Sequence, residues 1–272
     1  MQPIAFVTFP SHVFRYIFLA FAALLGGVVN SVAGGGSFLV FPSLLKAGLL
    51  PIQANATGTV SLWPGQFTSI AGYREDLRKH IRLVIPVAIV ALIGGLAGAL
   101  TLLHGSQSSF LRLVPYLFLL GSVSFALSGP IGRMVRRRAA EHEAHPEKGE
   151  HVALAPLLAV MLVITYYIGY FGAGAGLLTM AALGLCGVEK IAEMNALKVV
   201  LTTVANGVAV ITFIVGGAIE WRYCWLMMIA CAVGGYTGAR NSRRISDRVL
   251  RPVIIALGFA VAIYFFVHGK AL

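Results

Sequence analysis

The strongest constraint on this chain is where its charges are not. Eight stretches carry no Asp, Glu, Lys or Arg: 17–45, 47–73, 83–103, 113–131, 152–188, 199–219, 223–239 and 252–267. About 20 apolar residues suffice for a helix to cross the hydrocarbon core of a bilayer. One such run could be the buried core helix of a soluble protein, but eight in one chain require a membrane. Helix is the expected element. It satisfies its own backbone in lipid, and barrel strands would read as alternating segments of about 10 residues. Composition agrees: 58% of residues are hydrophobic and 11% charged, against about a quarter charged in soluble domains.

The net charge of +11 does not imply a nucleic-acid partner, because no soluble domain is present to carry one. In a membrane protein, basic loops mark the cytoplasmic side. Cys186, Cys224 and Cys231 lie in apolar runs without CxxC spacing and read as packing residues. The histidines (12, 80, 104, 142, 145, 151 and 268) are scattered at loops. With no GxSxG, HExxH or GKS/GKT motif, neither an enzyme, a metal site nor a cofactor is expected. The first apolar run, ending near Ala33, has the look of a secretory leader. Its glycines take part in a repeat, so it is expected to stay in the mature protein.

That repeat has an offset of 140 residues. Gly94-Gly95-Leu96-Ala97-Gly98 falls on Gly234-Gly235-Tyr236-Thr237-Gly238, Arg82 on Arg222, and Asn55-Ala56 on Asn195-Ala196. Gly34 and Gly36 fall on Gly174 and Gly176. Duplication fixes the architecture before any local reading. The basic clusters at Arg74–Arg82, Arg133–Lys148 and Arg240–Arg251 all go to the cytoplasm by the loop-charge rule. The loops near His104–Gln107 and Gly216–Ile219 are then outside. Equivalent loops thus fall on opposite sides, so the halves are inverted.

The expected fold is all-α and polytopic, with about eight hydrophobic segments in two inverted-topology repeats, residues 1–132 and 152–272, joined by a cytoplasmic polar linker at 133–151. Both termini lie outside. Spans are expected near 52–72, 83–103, 110–131, 190–216, 222–240 and 248–268. Segments 13–47 and 153–187 must each leave and return on one side, as helical hairpins broken at 33–36 and 172–176. Their second arms are short for a full crossing, which favours partial re-entry. Inverted repeats of this kind are a common plan of secondary transporters, with the solute near the midplane.

Such a site needs groups that replace water around a solute. Glycine lets a helix break and lets a ligand reach the backbone, and the next arm then offers free N–H groups at its positive end. Gly34, Gly35, Gly36 and Ser37 fit this role, as do Gly172, Gly174 and Gly176. Close helix packing is the competing explanation, and it is the better one for Gly94/Gly98 and Gly234/Gly238. Lys198 is the sharpest single residue. If its helix starts near Val188, it lies about 15 Å in, near the bilayer centre. A charge there costs at least about 2.5 kcal/mol, so an anion-binding or gating cation is expected; the alternatives are an ion pair with Glu193 or Glu189, or a shorter helix from which Lys198 snorkels to the surface. Asn55 and Asn195 could cap helices or line a gate. Thr57, Thr59, Thr202 and Asn206, with Gln66 as the repeat mate of Asn206, add polar groups on the same helices, though such hydroxyls often bond their own backbone. Trp63-Pro64 should kink its span. Glu189 and Glu193 could carry protons, but solvated helix ends are the simpler reading.

The stretch AGGGSFLVFPSLLKAGLLPIQANATGT from Ala33, and its counterpart GYFGAGAGLLTMAALGLCGVEKIAEMNALK from Gly169, resemble the two signature repeats of the sulfite exporter TauE/SafE (TSUP) family. The likeness covers nearly the whole chain. It implies an inner-membrane permease for small, mostly sulfur-containing anions such as sulfite, organosulfonates or thiosulfate, with export favoured. The implied partners are a small anionic solute and membrane lipid, with proton or sodium coupling and a homodimer both compatible. A passive anion channel and a non-transporting subunit of an enzyme complex are the alternatives. The halves differ in one motif: Asn195-Ala196-Leu197-Lys198 stands where the first has Asn55-Ala56-Thr57-Gly58.

Overall fold

The computed structural model describes residues 12–66, 81–144, 154–186, 188, 191–240 and 247–268. Among them all regular structure is helical. The elements are α1 (His12–Ala33), α2 (Ser37–Lys46), α3 (Pro51–Leu62), α4 (Ile81–His104), α5 (Gln107–Ala144), α6 (Leu154–Tyr170), α7 (Ala175–Leu185), α8 (Ile191–Val215), α9 (Trp221–Arg240) and α10 (Asp247–His268). Stretches of four of them, His12–Ser31, Leu83–His104, Gln107–Leu127 and Glu193–Val215, are long and apolar enough to cross a membrane. Together with the shorter apolar helices, they make this an all-helical polytopic membrane protein.

Glycine sets both hairpin turns. Gly34 has φ +75° and donates its N–H to the Asn30 carbonyl at 2.9 Å, the left-handed stop that ends many helices. Gly172 (φ +76°) closes α6 in the same way, its N–H donating to the Tyr167 carbonyl at 3.0 Å, and Gly174 (φ +73°) is the left-handed residue that opens α7. The arms that follow have 10 and 11 residues. At 1.5 Å per residue each spans roughly 15–16 Å, about half of a 30 Å hydrocarbon core. The helix of α3 is interrupted at Trp63, the residue before Pro64; Trp63 keeps helical dihedrals (φ −64°, ψ −40°), and the break lies in the hydrogen-bond ladder, because Pro64 has no N–H to donate. The polar segment that the sequence sets apart as a linker is, up to Ala144, the continuation of α5, a single helix of 38 residues.

The helices interlock. α1 packs most extensively along α9, and α6 along α4. A Cβ on Gly98 would strike the Tyr166 carbonyl, one on Gly94 the Thr165 hydroxyl, and one on Gly234 the Leu24 carbonyl. These glycines let backbones meet, as small residues do at membrane helix interfaces. α8 lies against α4, and α5 against α10. The starts of α3 and α8, of α4 and α9, and of α5 and α10 are each 140 residues apart. Two pairs of residues at that same offset touch each other. Trp63 Nε1 donates to the Thr203 carbonyl at 3.4 Å, and Asn206 Nδ2 donates to Gln66 Oε1 at 3.3 Å.

One part of the core is a cluster of aromatic rings. Phe38 and Phe41 of α2, Phe110, Phe118 and Phe125 of α5, and Phe171 in the second turn are all at most 3% exposed. Their rings meet mostly edge to face, at centroid distances such as 5.3 Å for Phe38–Phe118 and 5.5 Å for Phe41–Phe171, the arrangement ring quadrupoles prefer. In the second half the positions of Phe38 and Phe41 hold Leu178 and Ala181.

Candidate functional site

Each hairpin turn leaves backbone donors open. Among the described residues, Gly36, Ser37, Gly174 and Gly176 show no hydrogen bond to their N–H groups, while the next residues bond normally: Val40 N–H to the Gly36 carbonyl, Leu177 N–H to the Gly174 carbonyl. Open donors at a helix start are a ready anion-binding feature. The three glycines of the first turn differ in purpose. Gly34 needs its positive φ and has nothing within 4 Å of a Cβ. Gly35 is backed by Phe125 and Ile254, and Gly36 by the Gly26 carbonyl, Asn30 and Leu62. These two are small because their neighbours are close.

Ser37 and Asn55 face one narrow cleft between α2 and α3, completed by Val40, Phe41, Ala54, Gly58 and Thr59 and too tight to admit a water molecule. Asn55 is 5% exposed, and its Nδ2 donates to the Tyr170 carbonyl at 3.1 Å. It therefore ties α3 to the foot of the other hairpin. Thr59 donates to the Asn55 carbonyl at 2.9 Å. Thr57 has a different use. It is fully buried, and its hydroxyl accepts the Glu220 N–H at 3.0 Å, which satisfies a backbone donor just ahead of α9.

The second half assembles a counterpart with a cation in it. Lys198 Nζ donates to Asn195 Oδ1 at 3.1 Å. Its Cδ stands 3.7 Å from where a Cβ on Gly176 would sit, so the lysine stem lies across the start of α7. Gly58, which lines the first cleft, is the repeat mate of Lys198. Thr202 turns back to its own helix, donating to the carbonyls of Lys198 at 2.9 Å and Val199 at 3.3 Å. The structure thus brings Gly176, Asn195 and Lys198 together, groups Ser37 with Asn55, and sets Thr57 and Thr202 apart in backbone bonds.

Two sequence readings need adjustment. α8 starts at Ile191, not near Val188, so Lys198 lies about 10 Å along its helix rather than 15 Å. Glu193 is 7% exposed, not a solvated helix end; Glu189 lies outside the described residues. Gly58, Val40 and Phe41 were missed. Only the offset of 140 from Lys198 could have singled out Gly58.

The family model for the sulfite exporter TauE/SafE matches residues 19–265. The chain is 23% identical to the "Probable membrane transporter protein ORF9" of Sinorhizobium sp over 266 residues, 97% of this chain and 94% of that protein. It is 26% identical to the "Probable membrane transporter protein YfcA" of Escherichia coli (strain K12) over 240 residues, 87% and 84% of the two chains. A "Probable membrane transporter protein" of Haemophilus influenzae is 23% identical over 235 residues, 85% and 86%. No solved structure matches. A family match over nearly all of an all-helical, multi-pass chain identifies a membrane transporter, and the chain belongs to the sulfite exporter TauE/SafE family.

Proposed function

We propose that this transporter exports a small sulfur-containing anion, such as sulfite, an organosulfonate or thiosulfate, across the inner membrane by alternating access. The supporting observation is the Lys198 side chain, whose stem lies against Gly176 at the start of α7, where N–H groups are open, and whose ammonium is held by Asn195. A cation held within a span needs a reason, and a compact oxyanion supplies one. It would take the ammonium from Asn195 and accept the free backbone donors together. The sulfur class and the outward direction rest on the family's description.

The two halves are read as inverted repeats. The common offset of the helix starts supports this. So do the touching mates Trp63–Thr203 and Gln66–Asn206, because residues that contact their own equivalents lie beside a two-fold axis. The basic clusters support a cytoplasmic polar segment after residue 132 and termini outside.

Flux of sulfite, thiosulfate and an organosulfonate in proteoliposomes, with and without pH and sodium gradients, tests the substrate and the coupling ion. Lys198→Gln is expected to abolish flux while the protein stays folded. Wild-type flux in that variant would refute the site.

A further inference from the structure

The N-terminal ends of α1 and α9 meet in a cluster of two arginines and two tyrosines, away from the hairpin turns. Arg15 Nη1 donates to the Tyr223 hydroxyl at 3.2 Å, and Arg222 Nε donates to the Tyr16 hydroxyl at 2.6 Å. Each helix's arginine holds the other helix's tyrosine. The two rings pack at 5.5 Å. The Arg222 guanidinium carbon stands 5.8 Å from the Tyr16 ring centre and 6.0 Å from that of Tyr223. A guanidinium has five N–H donors. Arg222 spends one on Tyr16, and its two Nη groups have no partner among the described residues. Glu220 is near enough to be felt but forms no ion pair with it among those residues.

Depth in the membrane says what those donors meet. Trp221 and Trp225 flank Arg222 on α9, stack at 5.2 Å and are 38% and 59% exposed. Exposed tryptophan at a helix end marks the headgroup level. Deeper along the same two helices, Ile17 and Phe21 on α1 and Ile229 and Val233 on α9 are exposed apolar side chains. A positively charged, donor-rich cradle therefore sits at phosphate height above surfaces suited to acyl chains.

We propose that the paired starts of α1 and α9 bind an anionic phospholipid, whose phosphate takes the free N–H groups of Arg222 with the Arg15 charge beside it. Planar guanidinium donors suit phosphate oxygens, and two cations favour a headgroup with net negative charge. Of the four residues only Arg222 has a like repeat mate, Arg82, so the full cluster occurs at one end of the paired helices only. At the repeat-equivalent positions, Arg15 and Tyr16 become Ala155 and Pro156, and Tyr223 becomes Leu83.

The test is thermal unfolding of the purified, detergent-solubilised protein with added phosphatidylglycerol, phosphatidylcholine or inorganic phosphate. A ligand that binds only the folded state raises the midpoint. Phosphatidylglycerol is expected to raise it by several degrees, and the other two are not. In the double variant Arg15→Gln, Arg222→Gln, the phosphatidylglycerol increment should fall to that of phosphatidylcholine. If the double variant does not fold, Arg222→Gln alone is read the same way, because Arg15 still holds Tyr223. Equal shifts from both lipids, an increment that survives the substitutions, or an equal shift from inorganic phosphate would each overturn the proposal. Lys198→Gln should keep the full increment, which separates this site from the transport reading.

Discussion

Gly176→Ala separates the site reading from simple packing at the second hairpin. Gly176 lies in the first turn of α7 without a positive φ. A methyl there would meet only Lys198 Cδ, at an ordinary contact distance of 3.7 Å. The fold should accept it, and replacing glycine in a helix can stabilise by up to about 1 kcal/mol. The same methyl would stand between the Gly176 N–H and an anion held by Lys198. A hydrogen bond to a charged group is worth about 1.5–3 kcal/mol, so the KM for the anion should rise about 10- to 150-fold. Proteoliposome flux measures this, with scanning fluorimetry as the fold check. Gly94→Ala is the contrast, since its methyl would overlap the Thr165 side chain and the α6 backbone and should lower the unfolding midpoint. An unchanged KM in folded Gly176→Ala would show that the anion does not use this turn.

Thr57→Val should leave the Glu220 N–H without its acceptor and cost about 1–3 kcal/mol of stability; thermal unfolding should fall while KM stays constant. Phe41→Ala empties part of the aromatic cluster and should cost about 3–5 kcal/mol, whereas Ala181→Gly, at the equivalent position on α7, should cost only about 1 kcal/mol. Comparing the two midpoints tests whether the first hairpin arm is the better anchored.

What the sequence made legible were features with a local cause. Uncharged runs mark the helices, and glycines mark both turns because only the backbone conformation at Gly34, Gly172 and Gly174 requires them. Lys198 stood out because a charge in an apolar run is costly. What stayed hidden were contacts between distant segments. Nothing near Thr57 in sequence shows that its hydroxyl serves Glu220, or that Asn55 reaches the Tyr170 carbonyl. The burial of Glu193 was hidden for the same reason, since a carboxylate at a helix start usually faces water. The shared offset was the one long-range signal, and it carried over to Trp63–Thr203 and Gln66–Asn206.

The crossing partnership of α1 with α9 and α4 with α6 has a consequence for how the chain is made. α1 is complete at Ala33, but its partner begins only at Trp221. At 5–20 residues per second of synthesis, the glycine-lined face of α1 waits about 10–40 s for the helix that covers it. During that interval lipid or an insertion factor must shield a surface shaped for another backbone. The same interdependence discourages shortening the gene to one half. A chain ending after α5 would leave α1 without α9 and α4 without α6, so neither of the two most extensive helix pairings among the described residues could form.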